Sequence, residues 1–184
     1  WTPTRKKDIL DSRVKPTQLL AKAIASQQTK PTKFISASAV GYYGFNTSEK
    51  IYTEQDEAGK DFLGEVCQQW EEEINQVQAP TATVRIGIVL SKNGGALKEM
   101  AKPFHWGFGA ALGSGKQYIP WIHIDDLCRL FIHLIEKEDL GVYNAASPNQ
   151  HNNKTFSTIL AKVLNKPMWT PKMSALVLAA TLAK

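Results

Sequence analysis

Short segments rich in small and β-branched residues alternate along this chain with amphipathic segments, and that alternation narrows the fold most. "FISASA" (34–39), "ATVRIGIVLS" (82–91), "YIPWIHI" (118–124) and "GVYNAAS" (141–147) have strand composition. Between them run "DFLGEVCQQWEEEINQV" and "DDLCRLFIHLIEKED", with apolar residues at spacings of three and four. Strands joined by helices imply parallel βαβ crossovers, and hence an α/β fold with a parallel sheet. Ligands of such sheets bind at the carboxyl ends of the strands. That places "SASAVGYYG", "SKNGG" and "SPNQ" on one functional rim.

The remaining segments fit this frame. From Lys7 to about Gln27 the periodicity is helical, and Pro16 predicts a break or a fresh start. In the helix beginning at Asp61, the residues Phe62, Leu63, Val66, Cys67, Trp70, Ile74 and Val77 form one apolar stripe. Residues 41–60 read as loop, and a helix is expected from Ala96 to about Trp106. "GFGAALGSGKQ" reads as loop, "TFSTILAKVLNKP" as helix, and "KMSALVLAATLAK" as the beginning of another.

Composition excludes several classes. No run of about 18 apolar residues is present, so a membrane span is not expected. "WTPTRKKDILDSR" has no signal-peptide character, and a cytoplasmic setting is the default. The two cysteines, Cys67 and Cys128, have no metal or redox spacing and read as buried small hydrophobes, with no metal site. Residues 1–33 carry eight Lys/Arg against two Asp. Such a basic segment attracts phosphates, but no aromatic residues interleave with the charges, so nucleic acid is not an expected partner.

Neither phosphate-binding glycine motif survives inspection. Gln117 follows Lys116 where a P-loop needs Ser or Thr, and GxGxxG is absent. Ser36 and Ser38 end the first strand, where a hydroxyl can bond a substrate oxygen. His123 alternates with Ile122 and Ile124 and therefore points away from them, as a tie between strand and helix.

Taken in order, "FISASAVGYYG", "DFLGEVCQQWE", "VRIGIVLSKNGGALKEM", "GSGKQYIPWIHIDDL" and "GVYNAASP" resemble the atypical branch of the extended short-chain dehydrogenase/reductases. These proteins are often labelled nucleoside-diphosphate-sugar epimerase or SulA-like. The resemblance implies a Rossmann-like parallel sheet with helices on both faces and a small C-terminal substrate-binding part. It assigns residues 1–92 to the rest of the Rossmann-type domain and 93–184 to substrate-side segments interleaved with its last strands. The N-terminal dinucleotide-binding half, with its glycine fingerprint, is expected to lie outside this chain. So is a C-terminal segment following the helix that begins at Ser174. A sheet without its first strands exposes an edge that invites pairing, including with a second copy.

By the same resemblance the cofactor is NAD or NADP and the substrate a nucleotide sugar or related small molecule. Ser38 matches the family's catalytic serine, but no tyrosine is followed four residues later by lysine. On the helix where that pair belongs stand Phe62–Val66 or Leu63–Cys67, which transfer no proton. Tyr42 and Tyr43 are therefore the catalytic candidates beside Ser38. Arg13, at the family's asparagine position, joins Ser36, Glu71 and Arg85 as cofactor-binding candidates. Lys98 and His123 are the substrate-binding candidates. The alternative reading is a non-catalytic nucleotide-binding or regulatory interaction module.

Overall fold

The computed structural model describes residues 2–45 and 48–173. In chain order its elements are α1 (Pro3–Ser26), β1 (Phe34–Ala39), α2 (Phe62–Ile74), β2 (Thr81–Ile86), β3 (Ile88–Ser91), α3 (Gly95–His105) and β4 (Ala110–Leu112). There follow β5 (Tyr118–Ile119), β6 (Trp121–His123), α4 (Ile124–Glu136), β7 (Gly141–Ala145), β8 (His151–Asn152), α5 (Asn153–Val163) and β9 (Trp169–Met173). The chain divides into two compact units. The first comprises Trp1–Phe45, Lys50–Gly87 and Asp125–Ala145, and the second Asn46–Glu49, Ile88–Ile124 and Ala146–Lys184.

The first unit is built on a parallel three-stranded sheet in the order β1-β2-β7. Strand alternation gives β2 an apolar face, where Ala82 and Val84 are fully buried, and a polar face bearing Thr83 and Arg85. Helix α2 starts where Asp61 accepts a hydrogen bond from the Gly64 amide at 2.9 Å. It buries Val66, Cys67 and Ile74, three members of the predicted stripe. Polar bonds tie α1 to α2: Trp70 Nε1 donates to Thr17 Oγ1 at 3.1 Å, and Gln18 Nε2 to Glu73 Oε1 at 2.8 Å. Lys33, just before β1, donates to the carbonyls of Leu134 and Lys137 and so satisfies the C-terminal end of α4.

The second unit holds three two-stranded sheets: β3-β6 and β4-β9 parallel, β5-β8 antiparallel. Its core gathers Phe104, Leu160 and Ala161, against which Leu97, Met100 and Phe156 pack. Gly109 packs directly on that core: a Cβ at this position would lie 2.1 Å from the Phe104 ring, which would have to shift to admit it.

Several expectations need correction. Pro16 does not break α1, which runs unbroken across it. The proline removes one amide donor, and packing on α2 supplies more than that single bond. "ATVRIGIVLS" is two strands in different sheets, divided at Gly87, whose amide donates to Ala145 O at 3.0 Å. "YIPWIHI" is likewise divided at Pro120, which has no amide to continue a ladder. The glycine-rich loop contains β4, and Lys172 and Met173 are extended in β9 rather than helical. The rest of the helix expected from Ser174 lies outside the described residues. Cys67 is buried, but Cys128 is exposed, since α4 turns Leu127 and Leu134 inward and Cys128 lies a third of a turn away.

Candidate functional site

Strand register assembles the site. Ser38 stands opposite Arg85 across β1 and β2, and Arg85 opposite Asn144 across β2 and β7. One polar row therefore crosses the sheet, and α2 adds Glu71 to it. The Ser38 hydroxyl donates to Glu71 Oε1 at 2.7 Å. Arg85 donates to the same oxygen through Nε at 2.9 Å, and to Oε2 through Nη2 at 2.8 Å. Ser38, Glu71 and Arg85 are 3%, 8% and 3% exposed, so this charge pair is removed from water. Burial on its own depresses the Arg85 pKa, but the bonds to Glu71 and Tyr43 outweigh it and hold the guanidinium above its ordinary value.

The two tyrosines after β1 receive different environments. Tyr43 is buried, and its hydroxyl accepts from Arg85 Nη1 at 2.9 Å. Its one proton is shared between Asn144 Oδ1 at 2.7 Å and the Thr53 carbonyl at 3.0 Å. Desolvation pushes the Tyr43 phenol above its ordinary pKa, against the opposing bonds from Arg85 and Asn144. Glu54 adds to the network by accepting from the backbone N–H of Asn144 at 2.7 Å through Oε1. Tyr43 is thus fully committed.

Tyr42 is not. The Arg85 guanidinium carbon lies 3.4 Å from the Tyr42 ring centroid, and the Tyr43 ring meets Tyr42 edge-on at 5.4 Å. Among the described residues its hydroxyl has no hydrogen-bond partner. Tyr42 lines a cleft of about 510 Å³ with Glu57, Ala58, Gly59, Lys60, Glu65 and Gln68. Backbone packed on backbone makes one wall: a Cβ on Gly59 would come within 2.5 Å of Gly44 Cα, and one on Gly64 within 2.0 Å of Gly59 O. The Gly59 amide also donates to the Tyr42 carbonyl at 2.7 Å.

The structure thus brings Ser38, Tyr42, Tyr43, Glu71 and Arg85 together. Ser36 lies one row earlier, half-buried, with a 3.2 Å bond to the Ala37 carbonyl. Arg13 is engaged within α1, donating to Ile9 O at 2.9 Å and Ser12 Oγ at 3.1 Å. Lys98 and His123 are exposed residues of the second unit. Asn144 and Glu54 were missed by sequence reasoning; a polar residue inside "GVYNAAS" was the available signal for Asn144. In both registers open to the family's proton-transferring pair the residues are core: Phe62 and Leu63 are half-buried, Val66 and Cys67 buried. Burial, and then the Glu71 charge, push the Cys67 thiol up to about 11. Among the described residues no His, Cys, Asp and Glu group could hold a metal ion, and no helix is long and apolar enough to cross a membrane.

Parallel strands with a polar rim define a Rossmann-like α/β protein, and solved structures agree. A crystal structure of human epimerase family protein SDR39U1 with NADPH is similar over 100% of this chain and 63% of its own, at 33% identity and TM-score 0.86. A nucleoside-diphosphate sugar epimerase from Corynebacterium glutamicum is similar over 98% of this chain and 40% of its own, at 34% identity and TM-score 0.79. The model of the NAD dependent epimerase/dehydratase family matches residues 1–146, and the chain belongs to that family. It is also similar to the chloroplastic SDR39U1 homolog of Arabidopsis thaliana, at 39% identity over 177 residues, 93% of this chain and 50% of the relative. The chain therefore spans about half the length of that relative.

Proposed function

We propose that the protein is an NAD(P)-dependent reductase or epimerase acting on a nucleotide sugar or a related small molecule. The observation that supports this most is the likeness, along the whole chain, to a human protein whose structure contains NADPH. Two hydroxyls among the described residues support such binding. Ser36 offers a hydroxyl whose present bond is long, and Tyr42 a hydroxyl with no partner among the described residues. A glycine-rich pyrophosphate cradle is not among the residues of this chain.

The chemistry such a cofactor supplies when bound is hydride transfer. In this reading Tyr42 passes the accompanying proton to or from the substrate oxygen, with the cleft beside it holding the substrate. Tyr43 stays committed to Arg85 and Asn144, and Ser38 acts through Glu71 rather than on substrate. Ser36 and Arg13 contact the cofactor, and Lys98 and His123 the substrate. A cytoplasmic setting and self-association belong to the same reading.

Titration of the full-length protein with NADPH and with NADH, followed by fluorescence, tests the proposal. Saturable binding of either supports it, and binding of neither at millimolar concentration overturns it. The apolar, buried or half-buried residues in both registers, Phe62–Val66 and Leu63–Cys67, favour a second reading, a nucleotide-binding module without turnover. NADPH binding with no turnover on any nucleotide sugar, unchanged in Tyr42→Phe, would select that reading.

A further inference from the structure

We infer that Ser38, Glu71 and Arg85 form a relay of positioning residues that fixes the plane of the Tyr42 ring at the cleft. This rests on the reading that Tyr42 is the group facing substrate.

A guanidinium is planar, and its N–H groups lie in that plane. Here Nε and Nη2 are taken by the Glu71 carboxylate, and Nη1 by the Tyr43 hydroxyl. Those contacts come from α2 and from the turn after β1, so the guanidinium cannot rotate without losing charge-assisted bonds in a buried site. Nη1 also reaches the Glu54 carbonyl at 3.4 Å, and the guanidinium carbon lies over the Tyr42 ring, 3.4 Å from its centroid. The Glu71 carboxylate is held in turn by the Ser38 hydroxyl. Orientation therefore passes from Ser38 to Glu71, to Arg85, to Tyr42.

An ion pair serving stability alone has no need of that last contact. Lysine would keep the charge of Arg85 and lose the plane, and this difference separates positioning from structure.

The test uses full-length protein with ¹³C-labelled tyrosine rings, the Tyr42 line being identified by its loss in Tyr42→Phe. In the wild type Tyr42 gives one sharp line. In Arg85→Lys that line moves or broadens, while the lines of Tyr118 and Tyr143 stay in place. Ser38→Ala, a milder change that removes one bond from the relay, moves the Tyr42 line in the same direction by less. A Tyr42 line unmoved in both variants, each shown folded by circular dichroism, overturns the inference. If Arg85→Lys does not fold, Ser38→Ala decides alone. NADPH titration of the same samples keeps the two readings apart. An unmoved Tyr42 line with intact NADPH binding removes only the relay. Absent NADPH binding in the wild type removes only the proposed function.

Discussion

Ser38 and Arg85 stand opposite each other in adjacent parallel strands, and both donate to one oxygen, Oε1 of Glu71, at 2.7 and 2.9 Å. Three polar side chains from two strands and a helix thereby satisfy one another without water. Such an arrangement is stable only while complete, because each partner is buried and a lone charge left behind has no solvent to return to.

Breaking the pair from either side will be costly. Glu71→Ala and Arg85→Ala should each lower the stability of the full-length protein by about 3–5 kcal/mol. The double replacement Glu71→Leu with Arg85→Met should cost less than either single change, since it leaves no orphaned charge. Urea midpoints of the three variants decide it; a double variant less stable than either single variant contradicts the account.

The two adjacent tyrosines should respond differently to losing their hydroxyls. Tyr43→Phe strips a partner from Arg85 Nη1 and from Asn144 Oδ1 in a buried site, for a loss of about 1–3 kcal/mol. Tyr42→Phe keeps the stacked ring and removes no bond to a described residue, so its stability should stay within about 0.5 kcal/mol of wild type. Thermal unfolding of both, run side by side, would show the reverse order if the site were misread.

Gly64→Ala is a contest between helix propensity and space. Alanine in a helix is worth about 1 kcal/mol over glycine. At position 64, however, the added Cβ would lie 2.0 Å from the Gly59 carbonyl oxygen, against backbone that cannot swing away. Overpacking of this kind costs roughly 1–3 kcal/mol, so a net loss is expected, with the cleft wall displaced as well. A gain in melting temperature would refute the packing argument.

The two thiols should differ in reactivity. Cys128 is exposed and should be alkylated in the native protein, whereas Cys67 is buried with its thiol pushed up to about 11. Peptide mapping after a short maleimide pulse should find label on Cys128 and none on Cys67 until denaturant is added. The raised value also sets a sign. The folded state favours the neutral thiol, so its contribution to stability is whole below the ordinary value of 9.0 and is lost as pH rises through about 11. Unfolding midpoints between pH 8 and pH 11 for wild type and Cys67→Ala should converge as pH increases.

Much of the framework was legible in the residues. The stripe of α2 and the alternation of strand and helix follow from side-chain periodicity, a local property that burial reads directly. The family likeness rested on the order of motifs, and the family model matches residues 1–146. Local composition could not show that Gly87 and Pro120 divide two apparently continuous strands between different sheets, because each half has strand character by itself. Nor could it show that Pro16 is carried within α1, since packing against α2 outweighs one missing amide bond.

Ser38, Tyr42, Tyr43, Glu71 and Arg85 were all nominated from the sequence, yet their roles toward one another were not readable there. Which hydroxyl is consumed and which has no partner among the described residues depends on strand register and on the face α2 presents to the sheet. Hydrogen bonds and ion pairs act over about 3 Å, so they belong to residues adjacent in space, and chain order carries no record of that adjacency until the sheet has closed.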